Sequence, residues 1–343
     1  MNELDLIRSF RADVAEPTPA ATGRARRAWR PPPRRSRRPG PRAVALAAAL
    51  AAAGTAVALV LPADDAGRLG SPAPASAAQV LKRAAAAQTA PAQPLRHGEF
   101  WYVRTRASWL TTTELDGQPI GYNAPEIRED WIAIDGYRGF RSRSAGPVRF
   151  VGPRDRARWV AAGRPDLFTH DDPGRMFRHR PEPGSEAARR PFYDGSKQVS
   201  YAELLALPRR PGALHDRLRE VADACDCGQS VEQETFVIVG DLLRDTPIPG
   251  NLRAALLRAA AHIPGIERIE RLRDVAGRVG TGVAIDSGGT RSVLIFDRES
   301  YDLLGESEFA LERAEFADAE PGELVSGSAV MKSGIVSSPT GVP

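Results

Sequence analysis

Nineteen consecutive residues, Ala43 to Leu61, carry no charge and directly follow a block of nine arginines, and this junction divides the chain. As a helix rising 1.5 Å per residue the run is about 28 Å long, close to the ~30 Å hydrocarbon core of a bilayer. Arg24, Arg26, Arg27, Arg30, Arg34, Arg35, Arg37, Arg38 and Arg42 precede it with no acidic residue among them, whereas Asp64 and Asp65 follow. Basic residues accumulate on the cytoplasmic side of a span, so the N-terminus is expected inside and everything after Pro62 outside.

The run is weakly apolar, since ten of its nineteen residues are alanine. A cleaved signal peptide is the rival reading, but its candidate site, Ala75-Ser76-Ala77, lies fourteen residues past Leu61 and behind a Pro/Asp/Gly stretch. Arg37-Arg38 makes a weak twin-arginine match, because Pro39-Gly40-Pro41 stands where apolar residues are wanted. A buried core helix leaves the arginine block without a role. The sequence is therefore read as a single-pass cell-membrane protein: a basic cytoplasmic tail over 1–42, a transmembrane helix over 43–61 and a linker over 62–76.

Charge follows the same division. The tail holds eleven arginines against Glu3, Asp5, Asp13 and Glu16, which makes it +7; the whole chain is +4, so the remainder is −3. The basic block suits anionic lipid, at ~1 kcal/mol per basic residue near the surface, and the outer part offers nothing to nucleic acid. Ahead of the arginines, Asn2 can cap a short helix whose Leu4, Leu6, Ile7 and Phe10 fall largely on one side. Alone it is marginal in water, so Leu6, Ile7 and Phe10 are candidates for contact with a cytoplasmic partner or the membrane surface.

Beyond the linker, residues 77–320 read as an α+β extracytoplasmic domain and 321–343 as a partly disordered C-terminal segment that includes a potential strand, Val325 to Val336. Ser76 with Gln79 forms a capping box ahead of a helix through Val80, Leu81 and Ala84. Phe100 to Trp109 has strand chemistry, and Ile127–Ile134 and Tyr137–Ser144 flank an Asp135-Gly136 turn. Residues 163–198, crowded with Pro, Gly, Asp and Arg, predict long loops. Ser200/Glu203 and Ser230/Gln233 supply two more capping boxes, and helical spacing recurs through Leu214–Leu218–Val221, Ile238–Leu242 and Leu252–Leu256. Strands follow over 266–275, 279–286, 291–296 and 301–311. Strands, helices, then strands with hairpin turns predict an antiparallel sheet packed on several helices.

Several short segments together carry a resemblance: Glu3-Leu4-Asp5-Leu6-Ile7-Arg8-Ser9-Phe10, Gly98-Glu99-Phe100-Trp101-Tyr102-Val103, Ile263-Pro264-Gly265-Ile266, Asp274-Val275-Ala276-Gly277-Arg278 and Leu294-Ile295-Phe296-Asp297. They resemble a family of uncharacterised single-pass actinobacterial proteins, often encoded beside extracytoplasmic-function sigma factors. The outer part of that family is similar in layout to the half-barrel of periplasmic lipoprotein carriers and of a sensor that binds an anti-sigma factor. The resemblance implies a half-barrel and a protein partner in a sigma-factor circuit or a lipid ligand, and it carries no catalytic residues over to this chain.

Few residues carry chemistry of their own. Cys225 and Cys227 are the only cysteines; outside the membrane they favour a disulfide, though one intervening residue makes such a bridge strained and open to a redox role. His170, Asp171, Asp172 and His179 have metal-ligand types but sit in a loop without ligand spacing, so a solvated loop is the reading and no metal or cofactor is assigned. Glu232/Glu234 and Glu267/Glu270 read as polar outer faces. Phe100, Trp101, Tyr102, Trp109, Trp131 and Phe140 either pack the sheet on the helices or, with Phe100, Trp101, Tyr102 and Trp131 foremost, line an apolar ligand groove. The sequence thus predicts a non-enzymatic envelope sensor or binding protein. A lipid or lipoprotein carrier is the alternative, and a redox or hydrolytic enzyme the next.

Overall fold

The aromatic and β-branched run beginning at Phe100 extends beyond Trp109, because Asp116 and Gly117 turn it back on itself. Both have positive φ, 50° and 73°, the left-handed pair that a two-residue type I′ hairpin requires. Strands β1 (Phe100–Leu115) and β2 (Gln118–Ile132) consequently pair from Trp101 opposite Ile132 to Leu115 opposite Gln118. The Asp135-Gly136 turn then leads into β3 (Arg138–Ser144), with Asp135 accepting the Tyr137 N–H at 3.1 Å. The computed structural model describes residues 74–88, 94–167, 175–194, 197–225, 229–313 and 319–343, all within one compact unit spanning Val57–Pro343.

Short strands β4 (Arg149–Phe150), β5 (Phe177–His179), β6 (Phe192–Tyr193) and β7 (Gln198–Val199) occupy the middle of the chain, and β5 and β6 fall within the stretch 163–198 that predicts loops. The C-terminal part supplies β8 (Glu267–Arg273), β9 (Val279–Ser287), β10 (Thr290–Phe296), β11 (Leu303–Ala310) and β12 (Leu324–Val336). The main sheet runs β5-β3-β2-β1-β12-β11-β10-β9-β8 with β4 paired to β2, ten strands in all, while β6 and β7 pair separately. Its pairings are all antiparallel.

One boundary needs correction. The strand expected over Val325 to Val336 forms as β12, but the segment from 321, set apart from the domain as partly disordered, provides the central strand: β12 pairs with β1 on one side and β11 on the other. It joins the first strand of the sheet to its last hairpin. Nor does the Ser/Thr/Pro/Gly end fray, because the Trp131 indole N–H donates to the Gly341 carbonyl at 2.7 Å.

Seven helices accompany the sheet among the described residues: α1 (Pro74–Ala87), α2 (Pro153–Ala161), α3 (Glu186–Arg189), α4 (Tyr201–Ala206), α5 (Pro211–Asp223), α6 (Val231–Asp245) and α7 (Gly250–Ala260). α1 begins at Pro74, two residues ahead of the expected Ser76 cap. The Ser200/Glu203 box forms in full. At α6 only half of the box forms: Ser230 accepts from the Gln233 N–H, but the Gln233 amide turns away and donates to Ser292 Oγ at 2.9 Å. No helix of the described residues is long and apolar enough to cross a membrane. The span expected over 43–61 and the tail residues Leu6, Ile7 and Phe10 lie outside them.

The helices α1 and α4–α7 bury their apolar stripes in one cluster with Val283, Ile285, Leu294 and Phe296 of β9 and β10. Leu81 and Leu218, for example, are almost wholly buried there. Ile269, Ala284, Val293 and Ile295 form a separate cluster from alternate positions of β8–β10, as the two-residue period of a strand requires. The protein is thus α+β, with a large antiparallel sheet carrying helices on one face.

Candidate functional site

Gly240 fixes how closely α6 approaches the sheet. A Cβ at that position would lie 2.8 Å from Leu294 Cδ2 and 3.1 Å from Glu306 Oε2, so only glycine allows this contact without displacement. Just beyond it, Asp241, Arg244 and Asp245 fall at i, i+3 and i+4 spacing on one side of the helix. The strands answer with period-two sets: Val103, Thr105 and Trp109 on β1, and Arg128, Asp130 and Ile132 on β2. These residues, with Arg138, Pro191, Phe192, Tyr193, Thr246 and Ser328, enclose a groove of about 470 Å3. A smaller recess of about 210 Å3 adjoins it and shares Trp109, Asp241 and Arg244.

The groove is built from locked ion pairs. Arg128 clasps Asp130 through Nε at 2.8 Å and through a second nitrogen at 2.8 Å. Arg244 donates to Asp241 at 2.7 Å and to both oxygens of Asp245 at 2.8 Å, and it also pairs with Glu306 of β11. Burial opposes the charge on Arg244, yet Asp245 and Asp241 outweigh it and raise its pKa well above the usual guanidinium range. Burial pushes the Asp130 carboxyl up against the pull of Arg128, and the negative Asp245 adds to the rise. Desolvation beside the sheet likewise raises Asp241, although 39% of its side chain stays open to water. Arg138 reaches the Pro191 carbonyl and lies 5.4 Å over the Tyr193 ring. Trp109 and Tyr193 remain open to solvent at 37% and 45%.

The aromatic candidates divide between two faces. Trp101 packs with Ile132 and Ile335 against the helix-side core, whereas Phe100, Tyr102 and Trp131 form a cluster with Tyr137 and Val336. Alternation causes this split: Tyr102 stands directly opposite Trp131 across the β1–β2 ladder, and Trp101 points the other way. Hence the four line no shared groove. Tyr102 instead donates to buried Glu129 at 2.6 Å, and Arg141 pairs with the same carboxylate. Burial opposes ionisation of Glu129, but the hydrogen bonds from Arg141 and Tyr102 hold its pKa below the usual value.

The remaining candidates are scattered. Cys225 is disulfide-bonded, and Cys227 lies outside the described residues. His170, Asp171 and Asp172 also lie outside them, and His179 is exposed on β5. Among the described residues no group of three or more His, Cys, Asp or Glu is placed to hold a metal ion. Half-buried Glu232 pairs with Arg219 at 3.3 Å, and exposed Glu270 pairs with Arg268 at 2.7 Å. Glu234 departs from the expected polar face: it is buried, and desolvation followed by the charge of Asp241 raises its pKa.

The groove residues Arg128, Asp130, Asp241, Arg244 and Asp245 escaped the sequence reading. Arg128-x-Asp130-x-Ile132 and Asp241-x-x-Arg244-Asp245 look like solvated charge patterns until two distant elements face each other. No family model matches the chain, and no curated protein matches it.

Proposed function

We propose that this is a membrane-anchored, non-enzymatic binding protein whose extracytoplasmic domain senses a ligand or partner at the cell envelope and serves a sigma-factor-linked circuit. Residues 43–61 are its single span, the arginine block holds the tail at anionic lipid inside, and residues 62–76 tether the outer domain. The open sheet with helices on one face suits the half-barrel layout implied by the sequence resemblance.

One observation carries the choice of sensing over carriage. The helix-bearing face of the sheet is filled by the apolar core of α4–α7, and the space left open beside α6 is lined by ion pairs interspersed with Val103, Ile132 and Phe192. An acyl chain placed there would strip water from paired charges without replacing it, which is unfavourable. Signal output then has to pass to the cytoplasm through the span, and the apolar stripe of the tail is the surface available for a partner.

The test is a double substitution, Leu6→Glu with Phe10→Glu, in the native host. Membrane insertion and protein level should be unchanged, because the arginine block and the span are untouched, while the transcriptional response of the associated circuit should be lost. An unchanged response, together with stoichiometric lipid extracted from the purified protein, would replace sensing with carriage.

A further inference from the structure

The groove beside α6 also indicates what kind of molecule it accepts. Its lining contains three guanidinium groups, of Arg128, Arg138 and Arg244, and three carboxylates, of Asp130, Asp241 and Asp245. Their charges balance, and each arginine is already engaged by a carboxylate or a backbone carbonyl. A strongly ionic ligand would have to compete with the Arg128–Asp130 and Arg244–Asp245 pairs, Arg138 alone of the three being held by a carbonyl and an aromatic ring rather than a carboxylate. An apolar ligand would desolvate all six groups for nothing in return.

A ligand rich in hydroxyl groups meets neither penalty. Each hydroxyl both donates and accepts, so it can donate a hydrogen bond to a carboxylate edge and accept one from a guanidinium edge without breaking the pair. The ion pairs hold these edges fixed before binding, which lowers the entropic cost of recognition. Trp109 and Tyr193 add exposed aromatic faces at the same groove, and the apolar C–H face of a sugar ring packs on such surfaces. The volume of about 470 Å3 lies in the ~300–1,000 Å3 range of small-molecule sites.

We infer that the groove between α6 and strands β1–β2 binds a neutral saccharide, stacked on Trp109 or Tyr193 and hydrogen-bonded to the Arg128–Asp130 and Arg244–Asp245 pairs. The inference deepens the reading of the outer domain as an envelope binding domain and rests on it.

Full-length protein in lipid nanodiscs is titrated with maltotriose and chitotriose, with spermine and citrate as cationic and anionic controls, while tryptophan fluorescence and heat are followed. A saturable response to at least one of the saccharides is expected, with an affinity that does not change as salt is raised. Trp109→Ala and Tyr193→Ala, both at exposed positions, should keep the fold by circular dichroism and weaken binding about tenfold in at least one of the two. Co-sedimentation of the protein with purified cell walls that persists at high salt and is weakened by Trp109→Ala or Tyr193→Ala would support the inference with the wall polymer as source; binding of the free trisaccharides alone would support a soluble sugar. The inference is overturned if neither the two saccharides nor the walls bind, if spermine or citrate binds instead in a salt-dependent way, or if saccharide binding survives both substitutions. Sugar binding with an unaltered circuit response in the tail double mutant would leave the site standing and remove the signalling role; the converse result would do the opposite.

Discussion

Arg244, one residue from the end of α6, forms an ion pair with Glu306 on β11, fastening the helix to the sheet where Gly240 lets the two approach. The same guanidinium holds Asp241 and Asp245 in place on the groove wall. Replacing it removes one positive charge from among three negative ones. Arg244 itself is almost buried, but Asp241 and Asp245 are about half open to water and recover part of their solvation. Arg244→Met should therefore lower the unfolding free energy by about 2–3 kcal/mol, between the values for surface and buried pairs. Asp245→Asn, with Arg244 still held by Asp241 and Glu306, should cost less than ~1 kcal/mol. Denaturant unfolding of the two variants checks the order; equal losses would show that Arg244 is not what ties α6 to the sheet.

On the opposite face, Tyr102, Glu129 and Arg141 give a pH-dependent contribution. The Glu129 pKa is depressed when folded, so the stabilisation is present above the unfolded value of about 4.5 and is lost as pH falls through the folded value. Tyr102→Phe removes a hydrogen bond to a buried carboxylate and should cost about 1.5–3 kcal/mol at neutral pH. Unfolding curves across the acid range should show that deficit shrinking below pH ~4.5, as Glu129 takes up its proton. A deficit independent of pH would mean that the Tyr102 hydroxyl contributes packing and not a charge-assisted bond.

Local signals in the sequence locate most of the elements. Helical spacing finds α5, α6 and α7, the Ser200/Glu203 box finds α4, and Asp135-Gly136 finds the turn between β2 and β3. What is missed lies between distant parts of the chain. β12 becomes central only because β1 and β11 are both unpaired on one side, a pairing between the two ends of the domain that no local pattern reports. α2 is missed because its one buried residue is Asp155, which accepts the Gly121 N–H at 2.7 Å. A helix whose buried residue is acidic has no apolar period to detect. The groove is hidden for a related reason: Arg128–Asp130 and Arg244–Asp245 look like exposed charges, and their meeting depends on Gly240. The aromatic set was legible as core material, but its division between faces follows from register, which places Tyr102 opposite Trp131.

The most direct test of the account asks whether the groove faces the outside of the cell on an anchored chain. In protein with Cys225 and Cys227 both changed to Ser, a cysteine is placed at Trp109, which is 37% exposed at the groove, and intact cells are treated with a membrane-impermeant maleimide. Two cysteines so close in sequence can close only a very short loop, so their loss should sit at the low end of the ~0–5 kcal/mol range for disulfides and leave the domain folded. A second variant, Val160→Cys on α2 away from the groove, reports topology alone. Both positions should be labelled in intact cells, and the labelled chain, its arginine-rich N-terminus retained, should fractionate with the membrane. Labelling only after lysis, or a mature chain beginning near Ala78, would contradict it.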